Sequence, residues 1–212
     1  MSAGRERMEA ELYEEGGPGR AVYELAMNPI THLLIGWELG SALTASPRER
    51  AAIAWASVAA DADGFGLLVD LGNRVLGRPE TAWYGTFHHV LFHGLFGAVL
   101  AAGVAAVVCR RRVLAAAGAF LAVHLHLLCD LAGSRGPSPG DVWPIHYLAP
   151  FSERLTVSWA GQWPLNGWPN VVLTVVLIGV VFVQAARDGV SLVSLFSPRA
   201  DAAFVAAVRK RL

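Results

Sequence analysis

The sequence predicts an all-α bundle embedded in a membrane, with about five membrane helices followed by a C-terminal amphipathic helix. Three observations carry this. Of the 212 residues, 54% are hydrophobic and only 16% charged, with a mean hydropathy of +0.44, which is unusually apolar for a soluble domain. The apolar residues are gathered into runs that approach the roughly 20 residues a helix needs to cross the hydrocarbon. Between the runs stand Pro, Gly and Arg clusters, the expected punctuation between helices.

Residues 1–29 form a polar segment made acidic by Glu6, Glu9, Glu11, Glu14, Glu15 and Glu24. It has neither the basic start nor the apolar stretch of a cleavable signal, so insertion is expected to use internal segments. Residues 30–186 are expected to form the membrane-embedded domain. Its helices are read at residues 30–45, 51–71, 87–108, 113–132 and 171–186, the first being the weakest and the second apolar apart from its acids. The breaks fall at Ser46-Pro47-Arg48, Gly77-Arg78-Pro79, Arg110-Arg111-Arg112 and the long stretch 133–169. Residues 187–212 mix Leu192, Leu195, Phe204 and Val205 with Arg199, Arg209, Lys210 and Arg211 and are read as an interfacial amphipathic helix.

Arg and Lys placement orients the bundle. Arg48, Arg50, Arg110, Arg111, Arg112, Arg187, Arg199, Arg209, Lys210 and Arg211 share one side if there are five crossings, and that side is expected to be cytoplasmic in a plasma or inner membrane. Arg74 and Arg78 are exceptions. The long loop is then extracytoplasmic, where Trp143, Trp159, Trp163, Trp168, Tyr147 and Phe151 suit the headgroup region as anchors or as the rim of a lipid entrance. The formal net charge of zero gives no bias toward nucleic acid. Cys109 and Cys129 lie in apolar runs and form no disulfide or zinc-ribbon pattern.

Against this background the ionisable residues ask for an explanation, because a charge inside a membrane costs several kcal/mol unless paired, hydrated or metal-bound. His32 opens the first run, Asp61 and Asp63 lie late in the second, His88, His89 and His93 open the third, and His124, His126 and Asp130 close the fourth. All fall toward the side opposite the Arg-rich loops. His126 and Asp130 stand one helical turn apart, and their stripe continues through Ala122 and Gly118, small residues that let membrane helices approach. The stripe His89, His93, Gly97, Ala101, Ala105 is read the same way on the third helix. Asp61 and Asp63 would splay by about 200° on a regular helix, but Gly64 and Gly66 suggest local unwinding that lets both acids reach one site. His89, His124 and His146 are read as structural, as is Glu38; Asp70 is read as a boundary residue. For His126 with Asp130, and for His88 or His93 with the Asp pair, clustering favours a metal. Imidazole with carboxylate suits zinc, manganese or iron, zinc being the first expectation. The number of candidates favours two divalent ions activating water for hydrolysis.

The ordered segments "THLLIG", "DADGF", "FHHVLFHGLFG", "HLHLLCDLAGSRG" and "VWPIHYLAPFS" resemble the YdjM-like, LexA-regulated inner-membrane family described as metal-dependent hydrolases. The resemblance covers roughly residues 30–155. It implies His32, Asp61, Asp63, His88, His93, His126 and Asp130 as metal ligands and selects His88 over His89. The chain has His89 where that family usually has Arg, Ala60 where Pro commonly precedes the first Asp, and Gly94 where Ser is common. The expected activity is hydrolysis of a phosphoester or acyl bond in a lipid-like or envelope substrate, with Arg135 holding an anionic headgroup. The alternatives are a proton or divalent-cation transporter using the same residues, or a noncatalytic membrane scaffold. The apolar stretches 95–108 and 113–123 speak against a continuous path.

Overall fold

A computed structural model of the chain describes residues 28–88, 90–136, 138 and 140–211. The polar segment expected at residues 1–29 lies almost wholly outside the described residues, as does His89. Helix α1 spans Asn28–Leu43 and α2 spans Pro47–Ala59, with Pro47 at its start, where the missing N–H costs nothing. A tight 3-10 turn over Ala60–Phe65 then leads into α3, Gly66–Val75. From Pro47 to Val75 the chain is a 29-residue helical stretch, about 44 Å long at ~1.5 Å per residue and so longer than a hydrocarbon core of about 30 Å. The short helix α4, Trp83–Phe87, is held back against α3 because Asp70 accepts the Trp83 and Tyr84 backbone N–H groups at 3.0 and 2.8 Å. Asp70 thereby satisfies, from α3, the free N–H groups at the start of α4.

Helices α5, Leu95–Val108, and α6, Arg112–Gly133, form an antiparallel pair. Glu49 accepts the Arg111 N–H at 3.1 Å, which ties the start of α2 to the start of α6. A loop carrying a two-stranded hairpin, β1 Ile145–His146 and β2 Thr156–Val157, leads to α7, Trp168–Asp188. Gly189, at φ 74, ends α7 in the left-handed conformation that favours glycine. A 3-10 turn at Leu192–Leu195 and α8, Pro198–Arg209, complete the chain.

Small residues set the packing. Ile53, Ala56, Ala105, Ala115, Ala119 and Ala122 form a buried cluster where α2, α5 and α6 meet, and a Cβ on Gly118 would lie 2.5 Å from the Ile53 Cδ1 atom. On the other side Val181 of α7 packs with Leu34 and Trp37 of α1 and Ala54 of α2. Two polar links fasten the same seam: Thr31 with Thr174 at 2.6 Å, and Gln184, which accepts from Trp37 at 3.0 Å and donates to Glu38. Such links hold membrane helices together where lipid leaves little hydrophobic driving force.

The start of the third helix differs from the sequence reading, and the structure adds detail to two further readings. Residues 88 and 90–94 are irregular, and the third helix starts only at Leu95. The reason lies in competing polar partners: Asp63 takes the Phe92 N–H, and Tyr147 takes the Leu95 N–H at 2.8 Å. The C-terminal segment is a short turn plus a 12-residue helix. Its apolar residues Val205 and Val208 are buried against Ala185 of α7, so they serve the fold, while alanines and Arg199, Lys210 and Arg211 stay outside. Finally, among the described residues three helices are long and apolar enough to cross a membrane, Pro47–Val75, Arg112–Gly133 and Trp168–Asp188, with Leu95–Val108 a shorter apolar helix.

Candidate metal centre

The 3-10 turn, His88, the irregular segment 90–94 and the ends of α1 and α6 meet in one buried polar cluster. His32 is 0% exposed, His93 and His126 are 1% exposed and Asp130 is 4% exposed. Such burial of four polar groups requires partners. His126 and Asp130 project together from α6, as their four-residue spacing dictates, with Nε2 2.9 Å from the Asp130 Oδ2 atom. His32 reaches in from α1, its Nε2 atom 3.2 Å from the Asp130 Oδ1 atom and its ring 3.8 Å from that of His126. Asp61 brings Oδ1 to 3.6 Å from His93 Nε2 and 3.7 Å from His126 Nε2. His93 Nε2 stands 3.8 Å from the Asp130 Oδ2 atom.

The backbone aims these side chains. Ser57, fully buried on α2, donates its hydroxyl to the His32 carbonyl at 2.7 Å, while its own carbonyl lies 2.8 Å from His126 Nδ1. A carbonyl can only accept, so Nδ1 carries the proton and Nε2 presents its lone pair to the cluster. This contact needs Gly36, because a Cβ there would run into the Ser57 side chain. The Ser134 hydroxyl donates to the Asp130 Oδ1 atom at 3.0 Å. Asp63 is bonded differently, with Oδ1 2.9 Å from His88 Nδ1 and Oδ2 3.1 Å from both His93 Nδ1 and the Phe92 N–H.

Among the described residues, three groups have ligand atoms within 4.8 Å of one another inside each group: His32, Asp61 and His126; His93, His126 and Asp130; and Asp63, His88 and His93. The structure thus brings together all seven residues that the family resemblance implied. They also fit a metal by their orphaned atoms, since His32 Nδ1 and Asp61 Oδ2 are buried and make no hydrogen bond. Imidazole or carboxylate held at about 2.0–2.2 Å from a tetrahedral ion gives donor-to-donor edges of about 3.3–3.6 Å. The four edges measured among His93, His126, Asp61 and Asp130, 2.9 to 3.8 Å, bracket that value.

The remaining candidates take structural places. His124, on the other side of α6, lies 2.8 Å from the Phe120 carbonyl and 3.0 Å from the Tyr147 hydroxyl. His146 pairs with Thr156 in the hairpin. Arg135, just past α6, donates Nε to the Gln162 carbonyl at 2.9 Å and Nη1 to the Ser138 carbonyl at 3.0 Å, so its guanidinium staples the long loop. Gln162 fastens the same loop to the end of α6 through Asp130 O and Trp143 O. At the rim, Tyr84 stacks on His88 at 4.5 Å, and Trp143 meets that ring edge-on at 6.2 Å.

Ser57, Gly36 and Ser134 were not singled out from the sequence. Gly36 and Ser134 do stand four residues after His32 and Asp130, so helical spacing could have marked them. Ser57 acts through its carbonyl, which no side-chain pattern reveals.

Fold and site together define a multi-helix membrane protein with a buried His/Asp cluster able to hold a metal ion. The chain belongs to the YdjM inner membrane protein family, whose model matches residues 27–209. No curated protein and no solved structure matches it.

Proposed function

We propose that the chain is a membrane-bound, metal-dependent hydrolase acting on a phosphoester or acyl bond of a lipid-like or envelope substrate. The observation that supports this best is the convergence of buried donors, His32 Nδ1 and Asp61 Oδ2 without a hydrogen bond, beside His126 Nε2 and the carboxylate of Asp130. A divalent cation, zinc before manganese or iron, supplies Lewis-acid polarisation of the scissile group and lowers the pKa of water toward about 7. The chain's own residues hold the donors in place, exclude bulk water by burial and present the aromatic rim of Tyr84 and Trp143 to a substrate. Arg135 keeps Nη2 without a partner among the described residues, and in this reading that group meets an anionic headgroup.

In the same reading α1, the Pro47–Val75 stretch, α5, α6 and α7 make five crossings, with Arg48, Arg110, Arg111 and Arg112 cytoplasmic and the cluster toward the extracytoplasmic face. Transport is disfavoured by the apolar layer of Leu34, Ala54, Leu177 and Val181, which along α1 and α7 separates His32 from the Glu38–Gln184 pair. The test is metal analysis of the detergent-purified chain followed by a panel of phosphoesters and lipids. Turnover that chelator abolishes and added metal restores is expected; a metal-loaded chain inert on every substrate counts against hydrolysis. Thiols introduced in the Arg110 loop and near Trp143 should react from opposite sides of intact cells. Labelling from the same side overturns the topology.

A further inference from the structure

The seven polar residues do not form one uniform shell. Asp61 and Asp130 each approach both His93 and His126, whereas Asp63 approaches His88 and His93 and is tied to the rest of the cluster through His93. The backbone separates the two acids: Asp61 and Asp63 sit two residues apart in a 3-10 turn, where about 120° per residue turns them to different sides.

We infer that Asp63 takes no ion itself but fixes the rings of His88 and His93, so that one ion is held by His93, His126, Asp61 and Asp130 with His32 as the fifth donor. This rests on the metal reading of the cluster and not on hydrolysis. The deciding residue is His93. Its Nε2 atom lies among Asp61 Oδ1 and Asp130 Oδ2, at 3.6 and 3.8 Å, while its Nδ1 atom lies 3.1 Å from the Asp63 Oδ2 atom. A neutral imidazole has one lone-pair nitrogen and one N–H. With Nε2 as the donor to the ion, Nδ1 carries the proton and gives it to Asp63 in a hydrogen bond. That is the carboxylate–histidine arrangement that orients metal-binding imidazoles and raises their basicity. The Asp63 oxygens are already engaged: Oδ2 also accepts the Phe92 N–H at 3.1 Å, and Oδ1 faces His88 Nδ1 at 2.9 Å. Asp63 accordingly clamps His88, the Phe92 backbone and His93 together and turns the Nε2 atom of His93 inward. His88 stays at the rim, with 12% of its side chain exposed.

The experiment uses the full chain in detergent, stripped with chelator and reloaded with Co(II) for stoichiometry or Cu(II) for pulsed EPR. One Co(II) per chain and an echo modulated by three imidazoles are expected. Asp61→Asn and His126→Ala should abolish binding. Asp63→Asn should still bind one ion, with affinity lowered about 10- to 100-fold, the usual consequence of losing an orienting partner. His88→Ala should leave both the stoichiometry and the imidazole count unchanged. Two ions per parent chain, or a fourth imidazole that disappears in His88→Ala, overturns the inference, and the parent measurement stands even if Asp63→Asn misfolds. Because no substrate is involved, a chain that binds one ion in this way yet hydrolyses nothing refutes the hydrolase reading alone. A chain that hydrolyses with two ions bound refutes only the single-ion assignment.

Discussion

The cluster is built by two contrasting routes. On α6, His126 and Asp130 project from consecutive turns of a regular 22-residue helix, and nothing but helical geometry is needed to set them side by side. At residues 88 and 90–94, His88 and His93 come from irregular backbone that is held open by Asp63 and by the Tyr147 carbonyl. The difference is one of where the ordering cost is met. The helix fixes its ligands through its own hydrogen bonds, whereas the irregular segment depends on side chains that belong to the site itself.

The sharpest way to break the comparison is to remove the helical pair. Replacing His126 or Asp130 with Ala should cut metal affinity by more than about 100-fold, beyond the range seen for orienting partners, and should remove the proposed turnover. Metal analysis and activity read this directly; near-normal occupancy in either variant would show that α6 is not the anchor of the site.

Removing the ion should act next, and most strongly on the irregular half. A ligand present at 100 times its Kd stabilises a fold by about 2.7 kcal/mol, and without it the three carboxylates repel one another. Chelation should therefore lower the melting temperature, with hydrogen exchange rising at residues 90–94 before it rises in α6. Equal exchange in both regions would erase the distinction.

Gly36→Val tests the contact on which both routes lean. Its side chain would displace Ser57, at a cost of about 1–3 kcal/mol typical of overpacking, and should weaken metal binding as His32 and His126 lose their shared support. Thermal melting with a metal titration measures both, and a variant as stable and as metal-avid as the parent would remove Ser57 from the account. The smallest effect is expected at His124→Ala. It loses contacts with the Phe120 carbonyl and Tyr147, worth about 1 kcal/mol in all, and should leave metal content unchanged. A loss of metal equal to that of His126→Ala would point to general damage to α6.

Much was legible in the sequence because it follows from local rules. Apolar runs and their Pro, Gly and Arg breaks located every long helix to within a few residues, with the start of the third as the main exception. The four-residue spacing of His126 and Asp130 declared a shared face, since an α-helix imposes that geometry wherever it forms. The order of His and Asp motifs also carried the family. The sequence could not reveal that residues 88 and 90–94 leave the helix, for their apolar character is that of a helix start, and only Asp63 and Tyr147, distant in the chain, supply the competing partners. Nor could it show that the C-terminal apolar residues pack on α7, since an amphipathic pattern fits lipid and protein equally. The partners that Asp61 and Asp63 meet, and the support that Ser57 gives through its carbonyl, were decided by tertiary structure. Both depend on which backbone and side-chain groups meet across helices, and a linear pattern does not encode those meetings.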